Sequence, residues 1–220
     1  MKEAPGPAGP AAGPGRRAGV AAFDFDGTLV AGDSLMPFLA TLLGRRRAAS
    51  VVAGAGPAMA RAYRRSGRDG AKAVLLGRAL AGLPAARVAA AGAGFGADLA
   101  VRIRPPMARR LAWHRDQGHR VLVVSASLAA YLEPFGERAG IDEVIATRLE
   151  EGPGGTLTGR LLGPNVRGPE KAARLAAAVA TWSGRSAVEL WAYGNSAGDR
   201  QMLAMADHPL LVGRRWPAPA

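Results

Sequence analysis

Short apolar segments that alternate with helical patterns restrict the fold of this chain more than any other feature. From residue 106 onward the order is helix, strand, helix, strand, helix, strand, helix, strand. The helical segments open near proline or end at glycine, whereas the apolar segments are short and bounded by turn residues. This alternation predicts an α/β domain in which helices flank a mostly parallel, Rossmann-like sheet.

The same patterns give the boundaries of the predicted core domain, which comprises residues 20–32 and 106–215. Its first strand is GVAAFDFDG, an apolar run bounded by glycine. Its further predicted strands lie at 119–127, 142–150, 156–162, 187–195 and 209–215. Its predicted helices lie at 106–118, 127–140 and 168–182.

Residues 33–105 interrupt this pattern between the first and second strands. They are rich in Ala, Arg and Gly and contain no convincing strand. Helical candidates lie near 34–43, 57–65, 71–81 and 85–100. Asp33 is suited to cap the first of these helices. Because the insertion is too long for a loop, the sequence predicts an all-helical cap.

Composition excludes several classes of protein. There is no cysteine, so disulfides and thiolate metal sites are excluded and nothing indicates an oxidising compartment. No uncharged apolar run reaches the roughly 18 residues of a membrane span. The Pro/Gly/Ala-rich residues 1–19 lack the apolar core of a signal peptide and predict a disordered tail, and residues 216–220 are assigned to a C-terminal tail. A cytoplasmic protein is therefore expected by default.

The net charge of +12 is concentrated in the predicted cap. Residues 33–105 hold twelve Arg or Lys against three Asp, a net charge of +9. One interpretation is compositional, since 26 of the 29 basic residues are Arg in a chain crowded with Ala and Gly. The other is that the cap faces an anionic partner, such as a phosphorylated substrate or an acidic lipid surface.

Polar groups follow the apolar strands at the edge where open parallel sheets bind their ligands. Asp24 and Asp26 end the first strand, and acids there are costly unless an ionic partner meets them. The other polar groups at this edge are Ser125, Asn195 and Asp199, and Lys171 lies in the first turn of a helix. A single cluster is therefore predicted from segments distant in sequence.

Each of these residues also has an ordinary structural interpretation. Asp-x-Asp-Gly is often a turn with side-chain hydrogen bonds to its own backbone. Ser125, or its competitor Ser127, suits the N-cap of the following helix, and Asp199 suits the N-cap of the helix after it. Lys171 taken alone reads as a solvated helix residue. It is the joint occurrence, in this order, that favours a site.

The joint pattern resembles the haloacid-dehalogenase-like (HAD) hydrolase superfamily, most closely its phosphoserine-phosphatase-like branch, subfamily IB, with a helical C1 cap. The matching motifs are FDFDGTLV, VLVVSAS, NVRGPEKAARL and AYGNSAGDRQML, and the resemblance spans about residues 20–207. It implies Asp24 as nucleophile and Asp26 as general acid/base. It further implies phosphate binding by Ser125, Ala126, Lys171 and Gly27, and Mg²⁺ binding by Asp24, Asp26, Asn195 and Asp199.

The chemistry explains why such residues are needed. A nucleophilic carboxylate must approach a phosphate that is itself negative, and two like charges about 4 Å apart repel by roughly 4 kcal/mol at an effective dielectric near 20. Mg²⁺ and Lys171 would offset that repulsion, and Ser125 would donate to a phosphoryl oxygen. The charge of Asp24 should raise the pKa of Asp26, as an acid working near neutrality requires.

One residue departs from the family pattern, because Asn195 stands where relatives usually have an acid. Its amide oxygen still suits Mg²⁺, but one negative charge is lost, so weaker Mg²⁺ affinity or a weakened activity is expected.

The sequence thus favours a Mg²⁺-dependent phosphatase acting on a small phosphorylated metabolite. The alternatives are a lipid-phosphate phosphatase of the phosphatidylglycerophosphate-like kind, which contacts an anionic membrane through the basic cap, and a catalytically weakened anion-binding module. Phosphoryl transfer to an acceptor other than water is a third. No specific nucleic-acid binding is expected, because the four Trp are too scattered to form a stacking platform.

Overall fold

A five-stranded parallel sheet forms the centre of the structure, a computed structural model that describes residues 17–182 and 187–213. The strand order is β3-β2-β1-β6-β7. The bounds are β1 Ala18–Phe23, β2 Arg120–Leu128, β3 Glu143–Thr147, β6 Val188–Gly194 and β7 His208–Leu211. A separate antiparallel hairpin consists of β4 Leu149–Glu151 and β5 Leu157–Leu161. The predicted parallel α/β fold is confirmed.

Helices cover both faces of the sheet, and three more form an insertion between β1 and β2. The core helices are α4 Pro105–Asp116, α5 Ala129–Ala139, α6 Pro169–Trp182 and α7 Arg200–Ala204. The inserted helices are α1 Leu35–Leu43, α2 Arg45–Leu80 and α3 Ala85–Ala100. The expected helical cap is therefore present between the first two strands of the sheet.

The central strand β1 is buried on both faces, which is why it reads as one continuous apolar run. Val20 and Ala22 pack with α6 and α7 on one face. Ala21 and Phe23 pack with α4, α5 and the cap on the other face. The strand therefore delivers the residues that follow it to a fixed position at the centre of the sheet edge.

Helix α2 differs from the sequence prediction, which had two helices near 57–65 and 71–81. Its first half begins at Arg45, and a kink with non-helical dihedral angles at Ser66 and Gly67 separates the two halves. The halves fold back on each other, because Arg78 Nη1 donates to the Gly54 carbonyl at 2.9 Å. Residues 45–56 combine Arg, Ala, Val and Gly without a clear helical period, although Ala and Arg are good helix formers.

Close backbone packing fixes the cap on the core. A Cβ atom on Gly92 of α3 would lie 1.9 Å from the Ala130 carbonyl oxygen of α5. A Cβ on Gly96, one turn later, would lie 2.4 Å from the Tyr131 carbonyl oxygen. These two positions tolerate only glycine, because α3 lies against the backbone of the helix that follows β2. The cap is thereby held beside the loops at the carboxyl ends of the strands.

Several boundaries shift slightly from the sequence prediction. Strand β1 begins at Ala18, inside the segment assigned to the disordered tail, and β2 continues to Leu128. Because β2 runs directly into α5, neither Ser125 nor Ser127 caps that helix, and no side chain does. Residues 1–16 and 214–220, which include most of the predicted tails, lie outside the described residues.

Among the described residues, no helix is long and apolar enough to cross a membrane.

A buried histidine pair lies between α4 and the sheet. His114 is fully buried, with its Nδ1 2.8 Å from Nδ1 of His119 and its Nε2 2.8 Å from the Tyr193 hydroxyl. Burial, aided by His119 and Arg110, lowers the pKa of His114 from 6.5 to about 3. His114 therefore stays neutral in the folded protein while an exposed histidine in the unfolded chain would be protonated.

We predict that acid destabilises the wild type more than a His114→Gln variant. The unfolded chain takes up a proton below about pH 6.5 and the folded protein only near pH 3, so stability falls as the pH drops through that window. His114 alone lowers the free energy of unfolding by about 2 kcal/mol at pH 5. Urea unfolding at pH 7.5 and pH 5 measures this difference in stability, with a change at the exposed His208, His208→Gln, as the matched control. The same loss in His114→Gln as in wild type would contradict this origin.

Candidate active site

The carboxyl ends of β1, β2 and β6 border one cavity of about 610 Å³ between the core and the cap. All eight residues selected from the sequence line this cavity. They are Asp24, Asp26, Gly27, Ser125, Ala126, Lys171, Asn195 and Asp199. The parallel strands place them together because every carboxyl end lies at the same edge of the sheet.

Lys171 lies at the bottom of the cavity between two carboxylates. Its Nζ donates to Asp24 Oδ1 at 2.7 Å and to Asp199 Oδ1 at 2.5 Å. Lys171 is only 2% exposed, so it is not the solvated helix residue that its position alone suggests. A buried ammonium requires such partners, since an unpaired charge in the interior is very costly.

Asp24 is held in a fixed position beside the cavity. Its backbone N–H donates to the Tyr193 carbonyl at 2.8 Å, and the Thr28 hydroxyl donates to its Oδ2 at 3.0 Å. With Lys171 on Oδ1, both oxygens of the Asp24 carboxylate therefore have a hydrogen-bond donor. Burial raises the pKa of Asp24, and Lys171 opposes that rise by favouring the charged form.

Asp199 organises the loop after β6. Its Oδ2 accepts hydrogen bonds from the backbone N–H of Asn195 and from the backbone and hydroxyl of Ser196, at 3.1, 2.9 and 2.8 Å. Burial would raise its pKa, but Lys171 and Ser196 outweigh burial and hold it below the usual range. Because Oδ1 receives Lys171, most of the hydrogen-bonding capacity of this carboxylate is already used.

Asp26 lies against hydroxyl groups instead of a cation. Ser34 donates to it from both its backbone N–H and its hydroxyl, at 3.0 and 3.1 Å, and the Ser127 hydroxyl donates at 2.5 Å. The pKa of Asp26 is raised to about 6 mainly by burial. The expected rise is therefore present, but the charge of Asp24, which was expected to cause it, contributes less than burial does.

Ser125 and Ala126 form the strand end that faces the two aspartates. Ser125 is 2% exposed, and its Oγ accepts the backbone N–H of Ser127 at 3.1 Å. Because this contact uses Oγ as an acceptor, the hydroxyl proton of Ser125 can be donated to a group in the adjacent cavity. The Ala126 carbonyl accepts a hydrogen bond from Lys72 of the cap.

Asn195 lies directly over Gly27. A Cβ atom on Gly27, whose φ is +78°, would lie 1.9 Å from Nδ2 of Asn195. Only glycine fits there, on grounds of both backbone conformation and space. The Gly27 carbonyl accepts from Arg104 Nη1 at 2.7 Å. The Asn195 amide is thus close to the DxD segment, although its side chain is exposed.

Five further cavity residues with charged or amide side chains were not singled out from the sequence. Lys72 donates to Asn165 Oδ1 at 2.6 Å, and Asn165 Nδ2 donates to Asp69 Oδ1 at 2.8 Å. Arg68 and Arg167 also line the cavity. Burial lowers the pKa of Lys72 to about 8, against the opposing charges of nearby aspartates. One signal was available, because Lys72 and Lys171 are two of only three lysines in an arginine-rich chain.

The donor set fits a weakly held Mg²⁺. Among residues 17–182 and 187–213 no three His, Asp or Glu side chains form a metal cluster, and Lys171 pairs with both Asp24 and Asp199. Mg²⁺ needs fewer groups, since it binds through one or two carboxylates and keeps several waters. Two buried carboxylates also share one ammonium, which leaves negative charge for a cation to balance.

The fold and site together define an α/β enzyme with a helical cap over an acid-rich cavity. The chain matches the model of the haloacid dehalogenase-like hydrolases over residues 21–204. Protein CicA of Caulobacter vibrioides is 33% identical over 188 residues, which cover 84% of this chain and 82% of that protein. The chain belongs to the haloacid dehalogenase-like hydrolases, as its motifs predicted.

Solved structures show the same fold. A protein of unknown function from Bordetella pertussis Tohama I has a TM-score of 0.68 at 23% identity, with 86% of each chain covered. A probable phosphoserine phosphatase from Vibrio cholerae has a TM-score of 0.62 at 18% identity, covering 86% of this chain and 54% of that one. The arrangement of sheet and cap is therefore shared with phosphoserine-phosphatase-like proteins.

We predict that Lys171→Met lowers the free energy of unfolding by about 3–5 kcal/mol, because two buried carboxylates lose their common partner. Arg174→Met is the matched control on the same helix. Arg174 forms a half-exposed pair with Glu170 at 2.7 Å, and such pairs contribute about 0.3–0.5 kcal/mol. Urea denaturation measures both variants. Equal losses in the two variants would show that Lys171 is not the ionic centre of the site.

Proposed function

We propose that this protein is a Mg²⁺-dependent phosphatase that hydrolyses a phosphate monoester through a covalent aspartyl-phosphate on Asp24. The observation that carries the proposal is the ion-paired group of Lys171, Asp24 and Asp199 in a cavity that Asp26 and Ser125 also line. A binding module for anions has no need of two acids facing its ligand, which weighs against the catalytically weakened alternative.

Asp24 is the proposed nucleophile. Its carboxylate oxygen attacks phosphorus, an O–P bond forms to Asp24, and the bond from phosphorus to the ester oxygen breaks. Water then attacks the same phosphorus and releases Asp24 and inorganic phosphate. Dividing the reaction into two displacements makes each easier than direct hydrolysis, which is among the slowest uncatalysed reactions. The pairing with Lys171 favours the ionised carboxylate that attack requires.

Asp26 is the proposed general acid and base. With a pKa of about 6 it exists in both protonation states near neutrality, as proton transfer in each direction requires. It gives its proton to the departing alkoxide in the first step and takes one from the attacking water in the second. Ser34 and Ser127 hold the carboxyl in place while its charge changes.

The remaining residues are proposed to bind the phosphoryl group. Ser125 donates its hydroxyl and Lys171 its ammonium to phosphoryl oxygens, with the backbone at Gly27 and Ala126 alongside. Asp24, Asp26, Asn195 and Asp199 are the oxygen donors proposed to hold Mg²⁺. Because Asp199 is largely engaged by Lys171 and Ser196, Asp24 and Asn195 carry more of that role. When bound, Mg²⁺ supplies positive charge against the phosphate.

From the sequence motifs alone, a small phosphorylated metabolite is the first choice of substrate. A lipid phosphate is the second candidate, and a surface feature favours it. The tip of the hairpin formed by α2, residues 61–68, exposes four arginines, together with Tyr63 at 55% exposure. Arg68 at this tip also lines the cavity. Such a tip suits an anionic membrane surface, because exposed arginines attract acidic headgroups and tyrosine prefers the interface.

We predict turnover of phosphate monoesters that needs Mg²⁺ and falls by more than about 10³-fold in Asp24→Asn, which lacks the nucleophile. Released phosphate is measured over a panel of sugar, amino-acid and glycerol phosphates, and of a lysolipid phosphate in anionic vesicles. Asp98→Asn, an exposed change on α3, is the matched control. Turnover in Asp24→Asn equal to that of the wild type would exclude the covalent mechanism. The substrate with the highest kcat/KM in the panel decides between a metabolite and a lipid phosphate.

We predict that Asn195→Asp lowers the Mg²⁺ concentration for half-maximal activity by about tenfold, because it restores a negative charge beside the metal. The measurement is a Mg²⁺ titration of phosphatase activity in wild type and variant. Ala197→Asp, which adds the same charge at an exposed position two residues away, outside the residues that line the cavity, controls for a general electrostatic effect. An unchanged midpoint in Asn195→Asp would exclude Asn195 as a ligand of the metal.

A further inference from the structure

A second groove of about 580 Å³ adjoins the catalytic cavity. It lies between the second half of α2, strand β5 and the start of α6. Its lining residues are Asp69, Ala73, Gly159, Arg160, Leu161, Gly163, Pro164, Asn165, Arg167, Pro169 and Glu170. Nothing in the proposed chemistry uses this groove, yet it has a volume within the range of ligand pockets.

The groove and the catalytic cavity share one wall. Asp69, Asn165 and Arg167 line both. Asn165 is fixed at this junction from two sides, since it donates to Asp69 at 2.8 Å and its Oδ1 accepts from the Thr147 hydroxyl at 2.9 Å. The groove is therefore the space next to the catalytic cavity on this side of the molecule.

The two spaces differ in chemical character. The catalytic cavity is lined by carboxylates, hydroxyls and cations, whereas Ala, Gly, Leu and Pro supply six of the eleven residues that line the groove. Two of the charged groove residues are already paired, Arg160 with Glu150 at 2.6 Å and Glu170 with Arg174 at 2.7 Å. An uncharged, partly apolar occupant therefore fits the groove better than a second phosphate does.

Arg167 stands at the junction. A Cβ atom on Gly198 would lie 3.1 Å from Nε of Arg167. The guanidinium therefore packs against the loop that carries Asp199. Within the part of the chain that the structure describes, this guanidinium forms no hydrogen bond or ion pair with another side chain. It can therefore donate to a polar group of a ligand that crosses from the cavity into the groove.

We propose that the natural substrate is a phosphate monoester of an elongated, amphiphilic alcohol. Its phosphate lies at Asp24, a polar segment passes Arg167 and Asn165, and the apolar remainder lies in the groove beside Ala73. This inference rests on the proposed phosphatase function and names the class of its leaving group. A phosphorylated three-carbon metabolite would leave the groove empty.

The test compares ethyl phosphate with octyl phosphate, the latter kept below the concentration at which it aggregates. We expect kcat/KM of the wild type to be at least about tenfold higher for octyl phosphate, because each buried CH₂ contributes up to about 0.8 kcal/mol. Ala73→Phe fills the groove from an exposed helix position and should reduce that ratio to within about threefold. Ala53→Phe, an exposed alanine elsewhere on α2, is the matched control and should keep it.

Binding of ethyl- and octylphosphonate, measured by calorimetry, separates this inference from the proposed function, because a C–P bond is not hydrolysed. If the wild type binds octylphosphonate more tightly than ethylphosphonate and Ala73→Phe abolishes this difference, the groove is a binding site for the alkyl chain. This holds even if no ester is turned over, in which case only the phosphatase proposal fails. Equal affinity for both phosphonates in the wild type overturns the inference, whatever the turnover. So does an octyl preference that Ala73→Phe leaves intact.

Discussion

The pairing of one buried ammonium with two carboxylates is the constraint on which the rest of this site depends. Lys171 reaches the bottom of the cavity from α6 and contacts Asp24 at the end of β1 and Asp199 after β6. Three charges with so little solvent are tolerable only when their positions are held by the surrounding backbone. The strand order supplies that support, because β1 lies between β2 and β6 and its own hydrogen bonds leave Asp24 no freedom to move away.

The cap is joined to this ionic centre by two different kinds of contact. Glycines of α3 allow backbone packing on α5, which anchors the cap at one end. At the other end Lys72 and Asp69 meet Asn165 and the Ala126 carbonyl, so a polar junction borders the cavity beside the proposed phosphate site. The backbone packing holds the cap on the core, while the polar junction lies between the catalytic cavity and the neighbouring groove.

Much of the fold and of the site could be predicted because the signals were local. Strands β2 and β6 lie within one residue of their predicted bounds, since apolar runs bounded by turn residues read directly as buried strands. Strand β1 ends at Phe23, four residues before the end of its predicted segment. The start of α2 was missed because its Ala, Arg and Gly have no clear hydrophobic period. Asn165 and Lys72 were missed because their roles arise from partners 93 residues apart, which no local pattern reports. The main cause of the raised pKa of Asp26 was also missed, because burial is a property of the folded chain.

The amino-acid sequence by itself determined that strands and helices alternate, that acids end the first strand and that no thiol chemistry is available. These properties follow from residue type and spacing, which act over a few neighbouring residues. Only the tertiary structure decided which polar groups share a partner, which carboxylate is surrounded by hydroxyls and which by an ammonium, and where the cap leaves open space. Those features depend on distances between segments far apart in the chain, and such distances exist only after the sheet and the cap have packed.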